Sequence, residues 1–101
     1  MLKTQAGAAV NGVFVAVADR CRDERGAGWI GGSVIVGPAG YPLAGPVLSD
    51  MPAVLTADCD LSLATDKRAS EHNDLLADRR PGLYWPVTKR DDGRQPRALR
   101  D

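Results

Sequence analysis

Gly12-Val13-Phe14-Val15-Ala16-Val17-Ala18 is the stretch on which the fold turns. It is an unbroken apolar run, rich in valine, with no polar residue at alternate positions. A strand with one solvated face alternates apolar and polar side chains, whereas an unbroken run reads as a strand covered on both faces. Such a strand needs neighbours at both edges and packing layers on both sides. Upstream, Thr4 to Val10 is Ala-rich and reads as the end of a helix, with Asn11-Gly12 as its stop signal. Downstream, Asp19 to Gly28 is charged and glycine-containing, and is predicted to be a loop.

Further along, Ser33 to Val36 predicts a second short strand. Gly37-Pro38-Ala39-Gly40 carries turn chemistry, and Tyr41 to Ala44 can return as a hairpin partner. Ala53 to Cys59, with Val54 and Leu55, predicts another strand. Asp60 or Ser62 can cap a helix after it, because a side-chain oxygen there accepts an orphan backbone N–H. That helix is expected to run through Ala69 to about Asn73. Arg79-Arg80-Pro81-Gly82 closes the segment, since proline cannot continue the helical ladder. The order helix, strand, strand, strand, helix gives an α/β or α+β layer of three to four strands and two helices.

With 101 residues the chain has room for one domain. Apolar residues make up 44%, but many are Ala and Val, so the core is expected to be thin. Thirteen basic residues balance thirteen acidic ones, which leaves no global field to attract nucleic acid or an anionic membrane. No stretch approaches the roughly 20 apolar residues of a membrane span. Between Gly26 and Thr56 the sole charged residue is Asp50. Residues 89–101 are mostly charged and are expected to form a disordered tail behind a domain of residues 1–88. Lys3 and the apolar stretch ending Ala16-Val17-Ala18 imitate a secretory leader. Asn11-Gly12 interrupts that stretch, and its valines suit a strand, so a cytoplasmic protein is expected.

Several constellations could carry chemistry. Gly26, Gly28 and Gly31 spell G-x-G-x-x-G, but a predicted strand rather than a helix follows, so phosphate cradling lacks its helix N-terminus. Cys21, between Arg20 and Arg22, could be an activated thiol, yet it needs a base, and the sole histidine, His72, lies in a polar stretch. Cys21 and Cys59 form no C-x-x-C pair and read as reduced thiols. Ser33 sits in no G-x-S-x-G elbow. Asp58 and Asp60 flank Cys59 but lack a third metal ligand. No cofactor or metal is expected.

Three blocks, in order, resemble the latter part of the nitrilase superfamily of carbon–nitrogen hydrolases. Residues 11–20, Asn-Gly-Val-Phe-Val-Ala-Val-Ala-Asp-Arg, are similar to that family's "E-N-g-v-f-v-v-a-a-N-R". Residues 29–40, Trp-Ile-Gly-Gly-Ser-Val-Ile-Val-Gly-Pro-Ala-Gly, resemble its "F-x-G-x-S-x-I-x-x-P-x-G". The stretch from Asp60-Leu61 through Arg68 to Asp78-Arg79-Arg80-Pro81-Gly82-Leu83-Tyr84 resembles its "D-L … R … D-R-R-P-x-L-Y".

The resemblance implies the last part of an α-β-β-α sandwich, whose subunits usually pair. It also implies a chemistry. A cysteine thiolate attacks the carbon of a small amide, carbamoyl compound or nitrile, a glutamate acts as base, and a lysine stabilises the tetrahedral intermediate. Those three residues precede the matched region in the family, so the chain is expected to lack them and to be inactive alone. Cys21-x-Asp23-x-Arg25 imitates the family's C-x-D-x-R-F-P-E, without the Phe-Pro-Glu and too close to the later glycine–serine block. Asp19 stands where the family has Asn, which replaces a donor with an acceptor. Glu24, Trp29 and Ser33 align near the mouth of the family's active site and are expected to form pocket wall. Arg79, Arg80 and Tyr84 are expected at an oligomer contact. The partner would be a second copy or a complementing N-terminal part of the fold. The alternative function is a non-catalytic oligomerisation or interaction module.

Overall fold

The computed structural model describes residues 1–84; Trp85 and the charged stretch 89–101 expected as a tail lie outside the described residues. The elements are α1 (Leu2–Asn11), β1 (Val15–Val17), β2 (Cys21–Glu24), β3 (Ala27–Ile30), β4 (Ser33–Val36), β5 (Pro42–Val47), β6 (Arg68–Ser70) and β7 (Asn73–Asp74), with single 3-10 turns at Leu61–Ala64 and Pro81–Tyr84.

Helix α1 stops where the sequence says it should. Gly12 adopts the left-handed conformation (φ 58°, ψ 49°), and its N–H returns to the carbonyls of Ala8 and Ala9. Glycine does this without a Cβ penalty. The chain then enters an antiparallel sheet of order β1-β4-β5, with Val15 opposite Val36 and Val17 opposite Val34. One face of this sheet meets α1. There Ala8, Val34 and Val36 form the buried apolar core of the described residues, with Val15 packed against it.

Two glycines set how closely the layers approach. A Cβ on Gly40 would stand 3.0 Å from the Ala9 Cβ and 3.1 Å from the Gln5 carbonyl oxygen, so the helix rests on the β4–β5 turn. Gln5 Nε2 reinforces this by donating to the Gly40 carbonyl at 3.0 Å. Gly45 has φ +82°, and a Cβ there would lie 2.6 Å from the Ser33 carbonyl oxygen. The β4–β5 ladder is irregular around it, with register shifts on either side of Ile35.

Mixed helix and antiparallel sheet agree with the expected class, but several elements differ. The covered strand at 12–18 shortens to Val15–Val17, and Ala16 and Val17 are exposed. The predicted loop at 19–28 is largely a hairpin, β2 pairing with β3. Its two-residue turn places Arg25 at φ 52° and Gly26 at φ 79°. Positive φ at both central positions gives the twist that tight hairpins need. The segment 53–59 forms no strand; the Leu55 side chain lies against Gly45 of β5, while Val54 is 90% exposed.

The second helix is absent as well, leaving α1 as the one α-helix among the described residues. Asp60 caps as expected, accepting from the Ser62 N–H at 3.0 Å and its hydroxyl at 2.7 Å. Only one 3-10 turn follows, and within the expected helix Asp66 takes the Arg68 backbone donor instead of a helical carbonyl. Asp66 accepts from the Arg68 N–H at 3.1 Å and binds its guanidinium in a fork. Asp74 accepts from the N–H groups of Leu76 and Ala77. These bonds favour the ionised carboxylates. The Asp66 carboxyl is pulled down to about 2, first by the Arg68 guanidinium and then by its N–H. Asp60 is lowered by the Ser62 hydroxyl and N–H, and Asp74 by the N–H groups of Ala77 and Leu76.

Many large apolar side chains remain uncovered, among them Leu2, Val10, Ile30, Leu48 and Leu61. The Cα radius of gyration is 19.3 Å, against about 13 Å for a compact chain of 100 residues. No helix among the described residues is long and apolar enough to cross a membrane.

Candidate functional site

The β2–β3 hairpin and the start of β4 gather the three residues expected as pocket wall. Trp29 lies opposite Arg22 across the hairpin, and Glu24 ends β2. Arg20, just before β2, joins them. Its guanidinium lies 5.3 Å from the centroid of the Trp29 ring and pairs with the Glu24 carboxylate. Ser33 is tied to Asp19, the residue before Arg20: its hydroxyl accepts from the Asp19 N–H at 2.9 Å and lies 3.3 Å from the Asp19 carbonyl oxygen. Asp19 Oδ1 in turn accepts from the Arg20 N–H at 2.7 Å. Because Arg20 and Glu24 are solvent-exposed, their pair contributes only about 0–1 kcal/mol; its effect is to orient the arginine over the indole.

Beside this cluster lies a cleft of about 180 Å³, lined by Asp19, Cys21, Ser33, Ser49 and Met51 among others. Ser33 faces it, whereas Glu24 and Trp29 are not among its lining residues. The cleft's rim is fastened across the chain. Arg22, at φ 72°, donates from Nε to the Asp50 carbonyl at 2.7 Å, and the Cys21 thiol donates to the same oxygen at 3.5 Å. Left-handed φ is costly for a side chain with a Cβ, by about 1–3 kcal/mol, and the bond to Asp50 helps to hold it.

Cys21 is thus a free thiol in a polar cleft, without a histidine partner. His72 belongs to the β6–β7 turn, exposed, with its Nε2 3.9 Å from the Glu71 carboxylate. The arrangement offers hydroxyls, a carboxylate and a thiol, which suits contact with a small polar molecule; it contains no nucleophile–base pair of the kind covalent catalysis requires. Cys59 is an exposed free thiol. No group of three or more potential metal ligands occurs among the described residues. The G-x-G-x-x-G glycines fall in the hairpin turn, in β3 and in the short link before β4, so no helix opens after them.

A second, larger groove of about 880 Å³ runs between α1 with the β4–β5 turn and residues 58–75. Phe14, Tyr41, Leu43, Leu63 and Leu75 give it an apolar lining. Lys67 holds its two sides together, donating to the carbonyls of Asn11 at 3.0 Å and Gly12 at 2.7 Å. Arg79, Arg80 and Tyr84 are all exposed at the end of the described chain. Arg79 Nε donates to the Leu76 carbonyl at 3.0 Å, and the Arg80 carbonyl accepts from Leu83.

Sequence reasoning missed Arg20 and Lys67. Arg20 joins Glu24 to Trp29 only once the hairpin folds, and Lys67 meets acceptors far away in sequence. No family model matches the chain. The chain is 36% identical over 75 residues to a nitrilase from Pyrococcus abyssi (strain GE5 / Orsay), a match covering 74% of this chain and 28% of that protein. Over that part of its length the chain is similar to a nitrilase, and it spans about 28% of that protein's length.

Proposed function

We propose that this chain is the C-terminal part of a nitrilase-like hydrolase fold, which supplies pocket wall and does not hydrolyse a substrate by itself. The match to a nitrilase over 28% of that protein's length supports the reading. The single observation that carries it is the cleft, which has a thiol, hydroxyls and a carboxylate but no histidine or lysine in its lining. In a complete enzyme, Ser33 and Asp19 would border the substrate directly. Arg20, held by Glu24 and Trp29, would sit at the outer rim. The chemistry belongs to the remainder of the fold: attack by a cysteine thiolate on a small amide, carbamoyl compound or nitrile, with a glutamate base and a lysine beside the developing oxyanion. The protein works in the cytoplasm, and Arg79, Arg80 and Tyr84 contribute to contact with another polypeptide.

The test is direct. The purified chain is incubated with a panel of small amides and nitriles, and ammonia is measured. The expected rate equals that of the protein-free blank. Turnover that disappears in Cys21→Ala would overturn the proposal, because the chain would then carry its own nucleophile.

A further inference from the structure

The cleft beside Cys21 is rich in acceptors, while several of its donors are already committed. The Ser33 hydroxyl donates to the Asp19 carbonyl at 3.3 Å, and the Cys21 thiol to the Asp50 carbonyl at 3.5 Å. The Gly32 N–H goes to the Val47 carbonyl at 2.8 Å, and the Asp19 N–H to the Ser33 oxygen at 2.9 Å. The one charged side chain in the lining, among the described residues, is Asp19. Its Oδ1 accepts from the Arg20 N–H, a neutral donor. The two adjacent guanidinium groups serve elsewhere. That of Arg20 pairs with Glu24 over the Trp29 ring, and that of Arg22 turns to the Asp50 carbonyl and the Met51 sulfur. Val47, Pro52 and Ala53 add an apolar wall.

We infer that this cleft takes the primary ammonium end of a small molecule, and that the amides or nitriles cleaved by a complete enzyme carry such a group. The inference rests on the proposed hydrolase reading and deepens it by naming a substrate class. An ammonium brings three donors and no acceptor, which matches a lining of this kind. The Asp19 carboxylate supplies the counter-charge, the Ser49 hydroxyl lines the same hollow as a further acceptor, and the apolar wall meets a short hydrocarbon stem. A carboxylate end would face repulsion from Asp19 and donors already engaged. The volume of about 180 Å³ lies below the roughly 300–1,000 Å³ of sites that enclose drug-sized ligands, so the hollow holds one end of a substrate. Attraction to an exposed carboxylate is weak, so it selects between ligands more than it binds them tightly.

The experiment titrates the isotope-labelled full chain with n-propylammonium and, at matched ionic strength, with propionate, which has a similar size and the opposite charge. Amide NMR shifts report the site. The expected result is that propylammonium moves the amides of Asp19, Ser33 and Ser49 with a midpoint in the millimolar range, while propionate leaves them in place. Asp19→Asn keeps an oxygen for the Arg20 N–H and removes the charge, and should weaken propylammonium binding about threefold or more. Asp23→Asn makes the same change of net charge on the hairpin, outside the cleft, and should bind like the parent. No shift with propylammonium, equal shifts with propionate, or indifference to Asp19→Asn would each overturn the ammonium assignment. Equal weakening by Asp23→Asn would overturn it too, by showing attraction to net charge alone. Each of these failures leaves the hydrolase reading standing, because the ammonia assay tests that reading separately.

Discussion

Residues 2–47 and residues 57–84 hold their shapes by different means. The first region uses a helix on a sheet, with Ala8, Val34 and Val36 closed off from solvent and glycines permitting close approach. The second contains no buried residue. Its turns are fixed by Asp60, Asp66 and Asp74, each folding its carboxylate onto nearby donors. Packing needs partners, and three buried apolar side chains are a small core for the described residues. Local hydrogen bonds need none. The contrast teaches that the first region depends on packing between its helix and sheet, while the second is a string of turns held by local hydrogen bonds and laid against it.

The sharpest way to break this contrast is Gly45→Ala. The new Cβ would meet the Ser33 carbonyl oxygen at 2.6 Å on a backbone held at φ +82°. Left-handed strain and overlap together should cost about 3 kcal/mol or more. A lowered urea midpoint for the sheet is expected, with the turns at Asp66 and Asp74 unaffected; an unchanged midpoint would refute the close approach.

Lys67→Met probes the seam between the regions. It removes two hydrogen bonds from a cation to the C-terminal end of α1, worth about 1 kcal/mol together with the helix dipole. Faster amide exchange in residues 61–78, with the sheet amides unchanged, is the expected outcome. Equal acceleration in both regions would mean they are not separable.

The smallest effect concerns acid. The carboxyl of Asp66 is lowered from 3.8 to about 2 by Arg68. A folded value below the unfolded one means the stabilisation is present above about pH 4 and lost as the pH falls through about 2. Because the pair is solvent-exposed, the loss should be local and weakened by salt. An NMR titration of the Arg68 amide should show that midpoint, and a midpoint near 4 would remove the interaction from the account.

How far the sequence was legible follows the same division. Gly12 as a helix stop, and the β4 and β5 strands around Gly37–Gly40, could be read because they rest on backbone chemistry that one or two residues dictate. The β2–β3 hairpin could not, since Arg25 takes the positive φ usually given to Asn, Asp or Gly. The second helix was misread for a related reason. Asp60 is a good cap, but nothing in the cap reveals that Asp66 will take the Arg68 donor from the helix. At the site, Glu24, Trp29 and Ser33 were picked out by resemblance. Their joining through Asp19 and Arg20 depends on the hairpin, and so was hidden along with it.

The Lys67 clamp also has a kinetic meaning. Its acceptors are carbonyls at the end of α1, which present themselves together only once that helix has formed, and Gly12 is 55 residues away along the chain. Closing so long a loop costs entropy before any contact repays it. The clamp is therefore expected to engage late in folding, after the helix and hairpins are in place.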